Sequence, residues 1–223
     1  MEALLIIVVI AAIVAGLIYS AYRAKKRREA LAALAQSLGL SFDPSRDRSV
    51  DERYRFLGKL KQGANRYSFN RLRGTYQGHE IEAFDFHYET YSYSRKGGRR
   101  THHHHFSFFL LHVADRFPEL TITREHIFSK IGQMIGFDDI DFESAEFSKA
   151  FSVRSESKKF AYDICHPRMM EYLLNNRDLS IEMEANCLSL FFSRRLKVEE
   201  VERNLDRLIA LRERIPEYVI ETA

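Results

Sequence analysis

The chain has 223 residues and a formal net charge of +3, with 45% hydrophobic and 29% charged residues. These fractions are typical of a folded globular domain and exclude wholesale disorder. The basic residues that follow the first apolar segment outweigh the net charge, so the rest of the chain is close to neutral. A nucleic-acid-binding surface needs a strong basic bias, and this composition therefore argues against one.

The chain begins with an apolar run, residues 3–22, that contains no charge and no proline. As a helix this run is about 30 Å long, which matches the hydrocarbon core of a bilayer. Only Glu2 precedes it, whereas membrane-flanking basic residues follow it: Arg23, Lys25, Lys26, Arg27 and Arg28. Positive charge stays on the cytoplasmic side, so we expect the N-terminus outside and the remaining chain in the cytoplasm. A cleaved signal peptide, the alternative, carries its positive charge before the apolar run.

We expect three segments along the chain: a transmembrane anchor at 1–22, a juxtamembrane helix at 23–39 and a cytosolic α+β domain at 40–223. Apolar residues at helical spacing indicate the second segment, namely Leu31, Leu34, Ala35 and Leu38. Gly39 is placed to end this helix as its C-terminal cap. The chain has only two cysteines, Cys165 and Cys187, which we expect to be reduced, because small exported domains usually carry a richer disulfide set.

The first half of the domain has the pattern of short strands. We expect extended segments at 40–42, 54–60, 67–73, 79–91, 105–113 and 120–123. Gln77-Gly78 is a hairpin signal, residues 92–101 are typical of a mobile hairpin loop, and Pro118 is expected to break the chain.

The second half mixes helices and strands. Helices are predicted at 124–134, at 158–164 with Ser157 as the cap, after Pro167, and at 198–214. A strand is predicted at 150–153, and 180–184 with 188–192 is predicted to form a hairpin. The fold class is therefore α+β: an N-terminal transmembrane helix, then a mainly antiparallel sheet covered by helices, with a long C-terminal helix. A glycine-rich phosphate loop is missing, which argues against a nucleotide-binding α/β enzyme.

Four segments resemble a family of uncharacterised bacterial single-pass membrane proteins with a soluble domain of unknown function. They read LGLSF, GTYQGHEIEAFDFHYETY, GFDDIDFESAEFS and HPRMMEYLL, and the resemblance extends over most of the soluble part. It implies a bacterial or archaeal inner-membrane protein. It implies no activity, cofactor or catalytic residue.

The histidine tract 102–105 is the first candidate site. On an extended strand His103 and His105 share one face, and with His87 or Asp85 from the opposite strand they have the residue types of a transition-metal site. We therefore predict His87, His103 and His105 as metal ligands. The alternatives are a solvated histidine-rich edge with weak metal affinity, or a loop that responds to pH as several imidazoles gain charge.

The hairpin loop beside this tract is the second candidate, as a surface for a ligand or a partner. Its aromatic and basic residues are Tyr91, Tyr93, Arg95, Lys96, Arg99 and Arg100. The acidic stretch 138–146 lacks the order of a calcium loop and fits a solvated or capping segment better. Cys165-His166 is a poor catalytic pair, because a nucleophile and its base need spatial rather than sequential proximity.

Together these features favour a membrane-tethered cytosolic interaction or sensing module over an enzyme, since no convergent catalytic set is visible. Its expected partners are membrane lipid and a protein, and no cofactor is expected except a transition metal. The alternative is a metal-binding protein or metal-dependent hydrolase that uses the histidine-rich hairpin. A structural subunit of a larger envelope complex is a third interpretation.

Overall fold

The structure, a computed structural model, describes residues 1–93, 97–124 and 137–221. Its first element, α1 (Glu2–Ser37), is one uninterrupted helix, and Leu4–Ser37 is long and apolar enough to cross a membrane. The helix ends where the sequence predicts, because Gly39 adopts the left-handed conformation with φ +69°. The last third of α1 is part of the domain: Leu31 and Ala35 are 2% and 1% exposed.

A six-stranded antiparallel sheet follows, in the order β1-β2-β3-β4-β5, with β6 also paired to β4. The strands are β1 (Ser41–Asp43), β2 (Ala64–Tyr76), β3 (His79–Tyr93), β4 (Arg99–Arg124), β5 (Phe151–Ser155) and β6 (Ile181–Phe191). The further helices are α2 (Val50–Arg53), α3 (Ala145–Ala150), α4 (Lys158–Ile164), α5 (Pro167–Asn175), α6 (Val201–Arg214) and α7 (Glu217–Glu221). The predicted α+β class, including the long C-terminal helix, is confirmed.

Apolar side chains cover both faces of the sheet. On one face α1, α5 and α6 pack on residues such as Ile81, Ala83 and Phe109. On the other face α2 and the following turn pack on Phe84 and Phe86. Successive residues of β3 therefore alternate between two apolar cores, which explains why this strand is apolar at both parities.

Several local predictions are confirmed because their signals are chemical and short-range. Gln77 and Gly78, both at positive φ, make the β2–β3 turn. The side chain of Ser157 accepts a hydrogen bond from the Phe160 amide and begins α4. Pro167 is at the start of α5, where its missing amide costs nothing. Both cysteines are free and buried.

Four predictions are wrong. The hairpin loop predicted at 92–101 is too long, because β3 continues to Tyr93 and β4 begins at Arg99. Residues 54–60 are not extended: a turn and a 3-10 helix at Gly58–Lys61 occupy this stretch. Pro118 does not break the chain, because β4 continues through it at a register shift where no paired amide is lost. The hairpin predicted at 180–192 is instead one strand, β6 (Ile181–Phe191), in which Ala185, at φ +51°, makes an irregularity opposite Phe117. The helix predicted at 124–134 lies outside the described residues, except Arg124, the last residue of β4.

Candidate functional sites on the anchor side of the sheet

Helix α1 is joined to the sheet by a buried ion pair. The Arg27 guanidinium donates through Nε (3.2 Å) and Nη2 (3.1 Å) to the carboxylate of Asp85 in the middle of β3. Their side chains are 15% and 3% exposed. Asp85 also accepts hydrogen bonds from Asn70 Nδ2 and Ser107 Oγ, both at 3.0 Å. Arg27, one of the five flanking basic residues, therefore belongs to the interior of the domain.

The same arginine ties in the segment that precedes α6. Arg27 Nη1 donates to the Leu196 carbonyl at 2.8 Å, and the Leu196 amide donates to Ser107 Oγ at 3.0 Å. Between this segment and α1 lies a cleft of about 730 Å³. We call it the junction cleft; its basic lining residues are Arg23, Lys26, Arg27, Arg195 and Lys197.

A histidine cluster lies on the same face of the sheet, further along the β3–β4 hairpin. It consists of His87, Glu89 and His103, whose ligand atoms all lie within 4.8 Å of one another. His87 Nε2 is 3.1 Å from His103 Nδ1, and that nitrogen is 3.5 Å from Glu89 Oε1. The side chain of His103 is 57% exposed, so the cluster is open to solvent on one side.

Asn65 orients two members of the cluster. Its carbonyl oxygen lies 3.1 Å from His87 Nδ1 and can only accept, so Nδ1 carries a proton, and in the neutral imidazole the Nε2 lone pair faces His103 Nδ1 at 3.1 Å. Its side-chain amide donates to Glu89 Oε1 at 2.6 Å, and this hydrogen bond lowers the pKa of Glu89. Desolvation lowers the pKa of His87, which favours the neutral, ligating form of the imidazole. Such second-shell contacts are typical of metal ligands.

The other histidines of the tract have different surroundings. His105 lies across from His87 with ring centroids 4.9 Å apart, but it is not in the group of converging ligand atoms. Desolvation and then the neighbouring His87 lower the pKa of His105 to about 4. His102 and His104 point to the opposite face, where their Nε2 atoms contact Ser92 Oγ and Thr90 Oγ1, both at 2.8 Å.

The end of the β3–β4 hairpin extends beyond the rest of the sheet. β2 pairs with β3 only as far as Glu89, so the hairpin tip, residues 90–93 and 99–102, is a two-stranded ribbon. Tyr91 and Tyr93 are 38% and 76% exposed, and the Arg99 guanidinium lies 4.2 Å from the Tyr91 ring centroid. Arg95 and Lys96, which we predict as part of this surface, lie outside the described residues.

The hairpin tip and the N-terminal part of α1 point toward the same side of the domain. Leu40, after the end of α1, lies against Gly74, which pairs with Ile81 near the start of β3. Arg27, more than three turns earlier in α1, contacts Asp85 further along β3. The helix traced toward its N-terminus and the strand traced toward its tip therefore run in the same sense.

The remaining candidates have structural surroundings. Cys165 is buried, which raises the pKa of its thiol, and His166 Nε2 contacts the Arg214 carbonyl at 2.9 Å rather than the thiol. In the acidic stretch, Asp139 accepts hydrogen bonds from Ser152 Oγ and the Val153 amide. These hydrogen bonds attach the stretch to strand β5 rather than to a helix; the helix cap within the stretch is Ser144, which accepts from the Phe147 amide at the start of α3.

The sequence does not predict one cluster of polar side chains, which consists of Tyr54, Glu82, His112 and Cys187. Cys187 Sγ lies 3.7 Å from His112 Nδ1, and the Tyr54 hydroxyl lies 3.3 Å from His112 Nε2 and donates to Glu82 at 2.7 Å. Burial, followed by nearby carboxylates, raises the pKa of Cys187 to about 12. The thiol therefore stays protonated and is a poor nucleophile. Only the fold brings these four residues together, and no spacing in the sequence indicates it.

Glu89 is the cluster member that the sequence reasoning missed. Its signal is nonetheless present, since it follows His87 by two residues and therefore shares its face on a strand. Asp85, the carboxylate considered instead, is occupied by Arg27.

Comparison with known proteins identifies a fold relative. The crystal structure of the mycobacterial trehalose monomycolate transport factor A, TtfA, matches with a TM-score of 0.55 and 13% sequence identity. The match covers 86% of this chain and 91% of that chain. At this identity the likeness shows the fold alone. No family model and no curated protein matches the chain.

Proposed function

We propose that the chain is a single-pass inner-membrane protein of the bacterial type, with its N-terminus outside, and that its cytoplasmic domain is a non-enzymatic interaction or sensing module. The observation that carries this proposal is the continuity of α1. One helix contains the apolar run, emerges at the basic flank and ends in the domain core at Leu31 and Ala35. The positive flank supports the cytoplasmic side for the domain.

A rigid connection suits a module that acts at a fixed position on the membrane surface. A flexible linker would let the domain reach many positions, whereas the Arg27–Asp85 pair and the packing of Leu31 fix its orientation to the anchor. The description of the fold relative as a transport factor is compatible with a membrane-associated interaction role.

The hairpin tip is the surface that we propose for a protein partner. Tyrosine and arginine dominate the energetics of many interfaces, and here Tyr91, Tyr93 and Arg99 are exposed together on a ribbon. Among the described residues, no carboxylate lies within ion-pair distance of Arg99 or Arg100. The tip therefore favours a partner with an acidic surface.

Site-specific photo-crosslinking in intact membranes tests this surface. A benzophenone side chain at Tyr93 is expected to give a discrete adduct with a protein, and Arg99→Ala with Arg100→Ala should reduce its yield several-fold. The matched control is the same crosslinker at Tyr162, which is 51% exposed on α4. Equal adducts at both positions, or none at Tyr93, would reject the tip as the partner surface.

The histidine cluster supports a second candidate function, binding of a transition metal such as zinc. Two ligands of a tetrahedral zinc ion, each about 2.0–2.1 Å from the metal, lie about 3.3 Å apart. The His87–His103 and His103–Glu89 separations of 3.1 and 3.5 Å bracket this value. The exposed side of the cluster leaves room for a fourth ligand from solvent, which is the pattern of a sensing or catalytic site rather than a closed structural one.

Elemental analysis of untagged, full-length protein, purified without a metal-affinity column, tests this function. Close to one equivalent of zinc, with a lower melting temperature after chelation, is the expected result. Protein that contains no transition metal and binds no added zinc would reject it.

A further inference from the structure

The junction cleft collects positive charge from two distant parts of the chain. Arg23 and Lys26 lie on the α1 wall, and Arg195 and Lys197 lie on the opposite wall. Among the described residues, no carboxylate lies within 4.0 Å of the charged groups of these four. One acid, Glu199, also lines the cleft. These four cations against one lining carboxylate give the cleft a net positive charge.

Both walls of the cleft are held in place by the same buried carboxylate. Arg27 binds Asp85 and also donates to the Leu196 carbonyl, so the helix cannot move away without breaking these hydrogen bonds. Ser107 donates to Asp85 and accepts from the Leu196 amide, which fixes the opposite wall to β4. The cations are therefore gathered before any ligand arrives, and binding does not have to order them.

The charges of the cleft repel one another. Desolvation by the surrounding protein lowers the pKa of Arg195, and the nearby Arg27 and Arg23 lower it further against the opposing effect of Asp85. A protein gains nothing for its own stability from this arrangement. An anion in the cleft would relieve the repulsion.

The position of the cleft along α1 identifies the source of the anion. The lining begins at Tyr19 and Ser20, where the apolar run ends, and continues through Arg23 to Ala30. Aromatic residues at such a boundary lie at the level of the lipid headgroups, and basic residues beyond it face the phosphates. The cleft therefore opens at the depth where a bilayer presents its own anions.

We propose that the junction cleft binds the headgroup of an anionic phospholipid from the bilayer that α1 spans. Arg195 and Lys197 contact the phosphate from one wall, and Arg23 and Lys26 contact it from the other. This inference rests on the proposed membrane anchor and adds a specific lipid ligand to it. The site differs from general attraction by a basic flank, because Arg195 and Lys197, two of the four cations assigned to the phosphate, come from a segment about 170 residues away along the chain.

Native mass spectrometry of the full-length protein in detergent, titrated with short-chain phosphatidylglycerol or phosphatidylcholine, tests the proposal. The wild type is expected to prefer phosphatidylglycerol. Arg195→Gln with Lys197→Gln should weaken its binding about 30-fold, which corresponds to about 1 kcal/mol for each basic residue. The matched control is Lys158→Gln with Lys159→Gln, which neutralises two exposed lysines on α4.

An equal effect of the two double variants, or no preference in the wild type, would overturn the proposal. A competition experiment with inorganic phosphate distinguishes a lipid from a soluble anion. Displacement of phosphatidylglycerol by equimolar free phosphate would assign the cleft to a soluble anion instead. Alkaline carbonate extraction of the membranes tests the proposed anchor independently of the proposed lipid site. Wild-type protein that stays in the membrane but binds both lipids equally rejects only the cleft, whereas extraction of the wild type by carbonate rejects the anchor as well.

Discussion

Arg27 of helix α1 and Asp85 of the central strand form a bidentate ion pair inside the domain, with N–O distances of 3.1–3.2 Å. The arginine lies in the stretch of positive charge that follows the apolar run, so the proposed membrane flank shares a residue with the folded core. The pair thereby couples the orientation of the domain to the orientation of the helix.

Removal of the arginine should destabilise the domain strongly. Arg27→Ala leaves the carboxylate of Asp85 buried without its cation, and we expect a loss of about 3 kcal/mol in the free energy of unfolding. Lys25→Ala is the matched control, since Lys25 is 76% exposed and its 3.8 Å contact with Glu29 contributes at most about 0.5 kcal/mol. Urea unfolding in mild detergent measures both, and equal losses would contradict the structural role of the pair.

The sequence predicts the N-terminal helix, its C-terminal cap and several later helix starts because each depends on neighbouring residues. Gly39, Ser157 and Pro167 act through local backbone chemistry, and the structure confirms each. The features that the sequence does not predict depend on tertiary contacts. Ala185 and Pro118 have turn-like local signals, yet β6 and β4 pair across them because the sheet tolerates a matched irregularity there.

In the candidate sites, too, the features set by local sequence are predicted and the features set by tertiary contacts are not. Strand alternation places His87 and His103 correctly on one face. The role of Asn65, which joins His87 to Glu89, depends on its positive φ of 50° at the irregular start of β2 and has no sequence signal. The junction cleft depends on the return of residues 195–199 to the anchor helix, which only the fold provides.

Zinc binding should depend on His103, which belongs to the histidine cluster, more than on the other histidines of the tract 102–105. His103→Ala is expected to reduce zinc affinity at least about tenfold, because it removes one of three ligands. His102→Ala is the matched control, since His102 lies on the opposite face, in contact with Ser92. Calorimetric titration with zinc measures the affinity of both variants. Comparable losses of zinc affinity would indicate a histidine-rich surface that binds zinc without defined ligands. His105→Ala tests whether His105, the third predicted ligand, contributes.

Buried Glu182 should make stability depend on pH. Burial raises its pKa from 4.5 to about 7 against the lowering effect of the Lys59 and Gly58 amides. The folded protein then holds a proton that the unfolded chain has lost, so this stabilisation is complete below about pH 4.5 and disappears as the pH rises through about 7. The difference in unfolding free energy between wild type and Glu182→Gln should fall across this window.

Thermal or urea unfolding at several pH values measures this difference. Glu171→Gln, at an exposed position of α5, serves as the control for removal of a carboxylate that is not buried. A wild-type advantage that grows with pH would contradict the assignment.

Alanine substitutions at two glycines with positive φ, Gly63 and Gly78, distinguish the cost of backbone strain from the cost of a steric clash. An alanine Cβ at Gly63 would lie 2.6 Å from Tyr88 Cδ2 and would overlap the Glu89 carbonyl, whereas nothing lies within 4 Å at Gly78. Both substitutions incur about 1 kcal/mol of backbone strain. Gly63→Ala should therefore lower the melting temperature clearly more than Gly78→Ala and weaken zinc binding through Glu89. Equal effects on melting would argue against the close approach at Gly63.

The orientation of the chain in the membrane is the central claim, and thiol labelling of intact bacterial cells with an impermeant maleimide tests it most directly. Cys165 and Cys187 are buried at 2% and 0% exposure, so the native background is low. We expect Glu2→Cys to be labelled in intact cells and Tyr93→Cys to be labelled only after the inner membrane is permeabilised. Labelling of Tyr93→Cys in intact cells, with Glu2→Cys protected, would contradict the account.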